Sequence, residues 1–205
     1  MRSNLRILLG NLYYQTSSQG FGLSSVGSNP YQTCGLALCR DDVDAKACKT
    51  RVNEASNELH KRCPYNKGPI IWYDDCLLKY LNTEFFHRID NQNKFFMSIV
   101  KKVSDPTTFN NQTKEFLSKL AKEASISPKL YGVRELEICV LNKLYGLVQC
   151  TRDLSNSECL TCLDTAIDEL LLYSNGKEGG RVVGGSCNIR YETYPFVMYK
   201  SLQGF

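Results

Sequence analysis

The feature that most constrains this chain is a cysteine pattern that occurs twice at one fixed offset. In the second half, cysteines stand at positions 150, 159, 162 and 187. In the first half, Cys39, Cys48 and Cys76 stand 111 positions ahead of Cys150, Cys159 and Cys187. Gly35, Asp42, Gly68 and Tyr80 precede Gly146, Asp153, Gly179 and Tyr191 by the same offset, with no gap between them. A fixed period that carries matched cysteines and glycines marks a duplicated structural unit. The 205 residues therefore divide into a unit at 1–88, a linker at 89–93 and a second unit at 94–205.

The copies are unequal. The counterpart of Cys162 is Arg51, and the counterpart of Cys63 is Ser174. Cys34 and Cys139 have no counterpart in the other copy.

Periodicity supplies the elements of each unit. Leu5, Leu8, Leu9 and Leu12 predict a helix over 3–14. Residues 19–31, rich in Ser, Gly and Asn, read as a loop. A strand is expected at 35–39 and a helix at 44–62, capped by Asp44, with Cys48, Val52, Ala55 and Leu59 as its inner stripe. Residues 69–73 and 75–81 read as a hairpin. In the second half, strand character at 94–103 is followed by a helix from Asp105-Pro106 to about residue 124. Residues 125–137 read as irregular, 144–150 as a strand and 156–172 as a helix. A hairpin is expected over 181–185 and 187–193, with a last strand at 196–200. Helix, strand, helix, strand, strand recurs, so the expected class is α+β: two helices on one face of an antiparallel sheet, twice.

Ten cysteines bear on compartment. The only histidines are His60 and His87, and Cys159-x2-Cys162 is the only C-x2-C pair, so zinc lacks its usual ligand runs. Spaced cysteines in small domains point instead to disulfides formed in an oxidising compartment. The N-terminal stretch does not read as a signal peptide, because Asn and Arg break its apolar part. Either a signal is absent from this sequence or the chain stays reduced in the cytosol, and the cysteine content favours the first. No run of 18 apolar residues is present to span a membrane. The charge of +4 is scattered, without the basic block expected for nucleic-acid binding.

Two stretches carry a resemblance. One is Tyr145-Gly-Leu-Val-Gln-Cys150-Thr-Arg-Asp-Leu, continuing through Cys159 and Cys162. The other is Gly179-Gly-Arg-Val-Val-Gly-Gly-Ser-Cys187-Asn-Ile-Arg-Tyr-Glu-Thr-Tyr-Pro-Phe196. With Arg62-Cys-Pro and Ile71-Trp-Tyr-Asp-Asp-Cys76 in the first copy, the chain resembles the plant ginkbilobin-homologous domain, also termed salt-stress response/antifungal. That domain occurs in tandem in cysteine-rich repeat secretory proteins and in ectodomains of cysteine-rich receptor-like kinases. The resemblance implies a five-stranded sheet per domain, with the first unit truncated at its N-terminus so that its first strand is missing. It implies the disulfides Cys39–Cys48, Cys150–Cys159 and Cys162–Cys187, and leaves Cys34, Cys63, Cys76 and Cys139 without assigned partners. It also implies a secreted, non-enzymatic recognition protein of stress or defence, without cofactor or metal.

The founding member of that family binds mannose through an Asn, an Arg and a Glu. Arg181, six positions before Cys187, and Glu192, five after it, match the last two. A guanidinium fork and a carboxylate can each bridge neighbouring sugar hydroxyls. The Asn has no clear match, and the first copy has Ile70 and Leu81 at these positions. A mannose-containing glycan is therefore one expected partner. An extracellular or receptor protein is the other, and in that reading Arg181 and Glu192 are structural. Asp74 and Asp75, as neighbours on a strand, point to opposite faces and make a poor catalytic pair. His60 lies three positions before Cys63, without an accompanying oxyanion-hole motif. Trp72, Tyr73, Phe85, Phe86, Phe95 and Phe96 read as packing residues. Asn111-Gln-Thr113 is an N-glycosylation sequon.

Overall fold

A computed structural model describes residues 2–63, 67–139 and 142–197. The chain forms two compact units that divide between His87 and Arg88.

The first unit contains α1 (Arg2–Gln19), β1 (Phe21–Val26), β2 (Thr33–Cys39), α2 (Ala45–Arg62), β3 (Ile70–Trp72) and β4 (Cys76–Leu81). The second contains β5 (Lys94–Ser98), α3 (Pro106–Ser125), β6 (Tyr131–Cys139), β7 (Asn142–Cys150), α4 (Asn156–Tyr173), β8 (Gly179–Gly184) and β9 (Cys187–Glu192). The bounds of α2 and α4, and of β4 and β9, differ by 111 at both ends, so the sequence offset is a structural one. Both sheets are antiparallel, in the orders β1-β2-β4-β3 and β5-β8-β9-β7-β6. The α+β class is thereby shown. The first sheet has four strands, and the one without a counterpart among the described residues of that unit is β5, the strand its truncation was expected to remove.

Local chemistry explains the helices. Asp44 caps α2 by accepting from the Ala47 amide at 2.8 Å. Its buried stripe is Cys48, Val52, Ala55 and Leu59. Asp105 and Pro106 start α3. Ser155 and Glu158 form a capping box at the head of α4. In each unit the helices pack on one sheet face. The first core gathers Leu8, Leu12, Val52, Leu78 and Tyr80, and the larger second core gathers Phe116, Leu120, Leu163, Ile189 and Tyr191. The paired glycines mark where the first helix of each unit crosses the sheet. A Cβ on Gly35 would lie 2.8 Å from Leu8, and one on Gly146 would lie 2.6 Å from the Phe116 ring.

Four expected features are corrected. Residues 21–26, read as loop, form β1, and 131–137, read as irregular, belong to β6. Both are outer strands that need only one partner, and Gly132 lets Leu120 and Ala124 of α3 sit against β6. The helix predicted over 3–14 continues to Gln19, with the Ser17 and Ser18 hydroxyls donating back to the Tyr14 and Gln15 carbonyls. Of the strand expected at 196–200, Phe196 and Val197 are not in a strand, and 198–200 lie outside the described residues.

Candidate functional site

The β8–β9 hairpin positions the two residues singled out for ligand contact. Arg181 pairs with Arg190, and Gly179 with Glu192. Side chains alternate along a strand, so Arg181, Asn188, Arg190 and Glu192 share one face. Val182, Ile189 and Tyr191 occupy the other face and enter the core beneath the helices.

The four polar residues are linked. Arg181 Nε donates to Asn188 Oδ1 at 3.2 Å, and Arg190 Nε donates to Glu192 Oε1 at 3.0 Å. Arg190 Nη2 donates to the Tyr194 hydroxyl at 3.2 Å, and its guanidinium lies 4.2 Å from the centre of the Phe196 ring. Gly179 makes room for the carboxylate, since a Cβ there would lie 1.8 Å from Glu192 Oε2. That Oε2 is buried and has no hydrogen-bond partner among the described residues. Burial pushes the Glu192 carboxyl above the usual carboxylate range, against the opposing pull of Arg190, Tyr194 and Arg181. Arg181 is 7% exposed and Glu192 4%. Asn188 and Arg190 were missed in the sequence reading, although polar residues at 188, 190 and 192 show the period of two that marks one strand face.

The hairpin is fixed from behind. Cys162 of α4 is bonded to Cys187, with Cα atoms 6.2 Å apart, and Cys150 to Cys159, with Cα atoms 5.7 Å apart. The buried Tyr191 hydroxyl donates to Ser174 Oγ at 2.8 Å. In the first unit Cys39 is bonded to Cys48. Cys76 keeps a free thiol, because Arg51 stands where α4 has Cys162 and instead pairs with Asp75 and Glu54 at 3.2 and 3.0 Å. Burial, and then the Asp75 charge, push the Cys76 thiol up to about 12, with Arg51 opposing. Cys34 and Cys63 are also free thiols, and the side chain of Cys139 lies outside the described residues.

The other sequence candidates are not brought into a site. Asp74 and Asp75 lie in the turn between β3 and β4, where Asp75 pairs with Arg51. His60 is exposed in the last turn of α2. Trp72 packs against the cluster of Leu36, Leu38 and Leu77. Asn111 is exposed on α3, while the Thr113 hydroxyl is buried and donates to the Phe109 carbonyl at 2.8 Å. Among the described residues there is no group of three His, Cys, Asp or Glu side chains suited to a metal, and no helix long and apolar enough to cross a membrane.

Comparison with known proteins gives a consistent set of relatives. The salt stress response/antifungal family profile matches residues 1–83 and again 97–194. An antimicrobial ginkbilobin-2-like protein of Castanea crenata is 55% identical over 195 residues, which is 95% of this chain and 81% of that protein. Cysteine-rich repeat secretory protein 38 of Arabidopsis thaliana is 52% identical over 95% of this chain and 78% of its own length. Among solved structures, the tandem DUF26 ectodomain of the Arabidopsis thaliana cysteine-rich receptor-like protein PDLP8 superposes with a TM-score of 0.82. Its identity is 22%, over 95% of this chain and 90% of that one.

Proposed function

Because the chain belongs to the salt stress response/antifungal family, which matches it twice, we propose that it is a non-enzymatic recognition module of plant stress or antifungal defence, acting by contact with an extracellular protein. The chain is extracellular. Its relatives include proteins named as secretory, its fold is that of a receptor-like ectodomain, and the three disulfides among the described residues belong to an oxidising compartment. One observation carries the protein-contact reading. The outer margin of the second unit is apolar: β5 has no strand beyond it among the described residues, Met97 lies on it and Val100 just after it. Leu172 and Tyr173 end α4 beside it, and the Tyr173 ring lies 5.3 Å from that of Phe96. Val100 is 89% exposed and Leu172 81%. An unpaired strand edge flanked by exposed apolar side chains is suited to a protein partner. The test is cross-linking in plant extracellular fluid, comparing the parent with a Val100→Asp/Leu172→Asp variant. The reading expects a discrete cross-linked partner that the variant loses. Equal capture by both proteins refutes it.

A second reading, binding of a mannose-type glycan by Arg181 and Glu192, draws support from the unpartnered Glu192 Oε2 and the neighbouring Asn188 amide. The deep burial of both residues favours a structural role instead. Titration calorimetry with mannose separates the two. Heat that disappears in Glu192→Gln supports the glycan, and absence of heat with the parent removes it.

A further inference from the structure

On the helix-bearing side of the second sheet, a cavity of about 450 Å³ opens between residues 101–105, the first turns of α3, the end of β6 and the residues flanking β8 and β9. Neither Arg181 nor Glu192 lines it. Its size falls within the range of small-molecule sites.

Its base is apolar, made of Val103, Phe109 and Ile138. Phe109 is held in place by the Tyr191 ring, 6.2 Å away between centroids. The rim is polar, with two ionic groups already oriented. The Glu178 carboxylate is held by Lys101 at 3.0 Å and by the Thr193 hydroxyl at 3.4 Å. Asp105 accepts from the Thr108 amide at 3.2 Å, and hydrogen bonds from the Thr108 side chain and backbone hold its carboxyl below the usual range. Ser104 and Gln112 line the rim with exposed side chains, so a hydroxyl and an amide face a ligand there.

Charge narrows the ligand. Two carboxylates face one ammonium and the positive end of α3, so the rim is close to neutral. An anion would meet two carboxylates, and a divalent cation would find no third acidic ligand among the described residues. A neutral molecule with several hydroxyls suits both parts of the cavity. It donates to Asp105 and Glu178, accepts from Gln112 and Lys101, and lays its C–H face on the apolar base. We propose that this cavity is a carbohydrate subsite for one neutral pyranose, free or at the end of a glycan, separate from the Arg181–Glu192 face and independent of the β5 margin.

The experiment is amide-resolved NMR titration of the whole chain with a panel of neutral monosaccharides and short oligosaccharides that end in them. Three proteins are compared: the parent, Thr108→Ala/Gln112→Ala and Glu192→Gln. The two α3 positions are exposed, and retention of the amide spectrum checks that the fold survives. The proposal expects shifts confined to 101–112, 138, 178 and 193. It expects affinity to fall by about tenfold or more in the α3 variant and to stay unchanged in Glu192→Gln. Binding to free sugar and binding to glycan ends alone both support it and identify the source. Shifts centred on 181–192 and abolished by Glu192→Gln overturn this subsite while leaving the other glycan reading standing. Absence of binding by every sugar in the panel overturns both.

Discussion

Arg51→Cys restores to the first unit the staple that the second unit has. Position 51 is the counterpart of Cys162, and Cys76 is the counterpart of Cys187. In the second unit that pair is bonded across 25 residues, with Cα atoms 6.2 Å apart. The recipient thiol is buried on β4 and free. Closing a loop of about 25 residues in the unfolded chain contributes roughly 3.5 kcal/mol in the chain-entropy description. The substitution removes the ion pairs of Arg51 with Asp75 and Glu54, and Arg51 is half-exposed there. Exposed pairs contribute about 0.2–1 kcal/mol each, so the net gain is about 1.5–3 kcal/mol. For a unit of this size that raises the midpoint of its thermal transition by about 10–20 °C. The assay is calorimetry with and without reductant, together with thiol titration of the denatured protein. Bridging adds one sulfur and consumes two, so the variant shows one thiol fewer than its parent. One thiol more than the parent, with the first transition unmoved by reductant, would refute the structural equivalence of the two copies.

Further outcomes follow from the same geometry. The first unit carries one disulfide and the smaller core, so limited proteolysis is expected to cut residues 2–87 before 88–197; equal protection of both halves contradicts this. Gly146→Ala places a Cβ 2.6 Å from the buried Phe116 ring and is expected to cost about 1–3 kcal/mol, read as a fall in the second unit's urea midpoint. Glu192 has a raised pKa, so the native state holds its proton to higher pH than the unfolded chain does. Stability therefore declines as pH rises above about 4.3, the ordinary Glu value, into the raised range, and Glu192→Gln is expected to flatten that decline in denaturation measured across it.

Much of the scaffold is legible in the sequence because its signals are local. Asp44 with a stripe at 48, 52, 55 and 59 specifies α2 to within a residue, and the offset of 111 specifies the duplication. β1 and β6 were not legible. Ser24, Ser25 and Gly22 lower the strand propensity of β1, and pairing with β2 along its whole length overrides it. The site divides in the same way. That Arg181 and Glu192 lie on one hairpin follows from spacing. That Glu192 takes Arg190 of its own strand as partner depends on side-chain packing, which spacing does not determine. The cavity at the head of α3 joins residues from 101 to 193 and has no sequence motif.

The central claim is that this is a secreted tandem module whose second unit carries two staples where the first carries one. A non-reducing peptide map of the secreted protein tests it most directly. The predicted map contains Cys39–Cys48, Cys150–Cys159 and Cys162–Cys187, with Cys34, Cys63 and Cys76 as alkylatable thiols once denatured. A bridge from Cys76 or Cys63 to another cysteine, or a fully reduced chain, would contradict it.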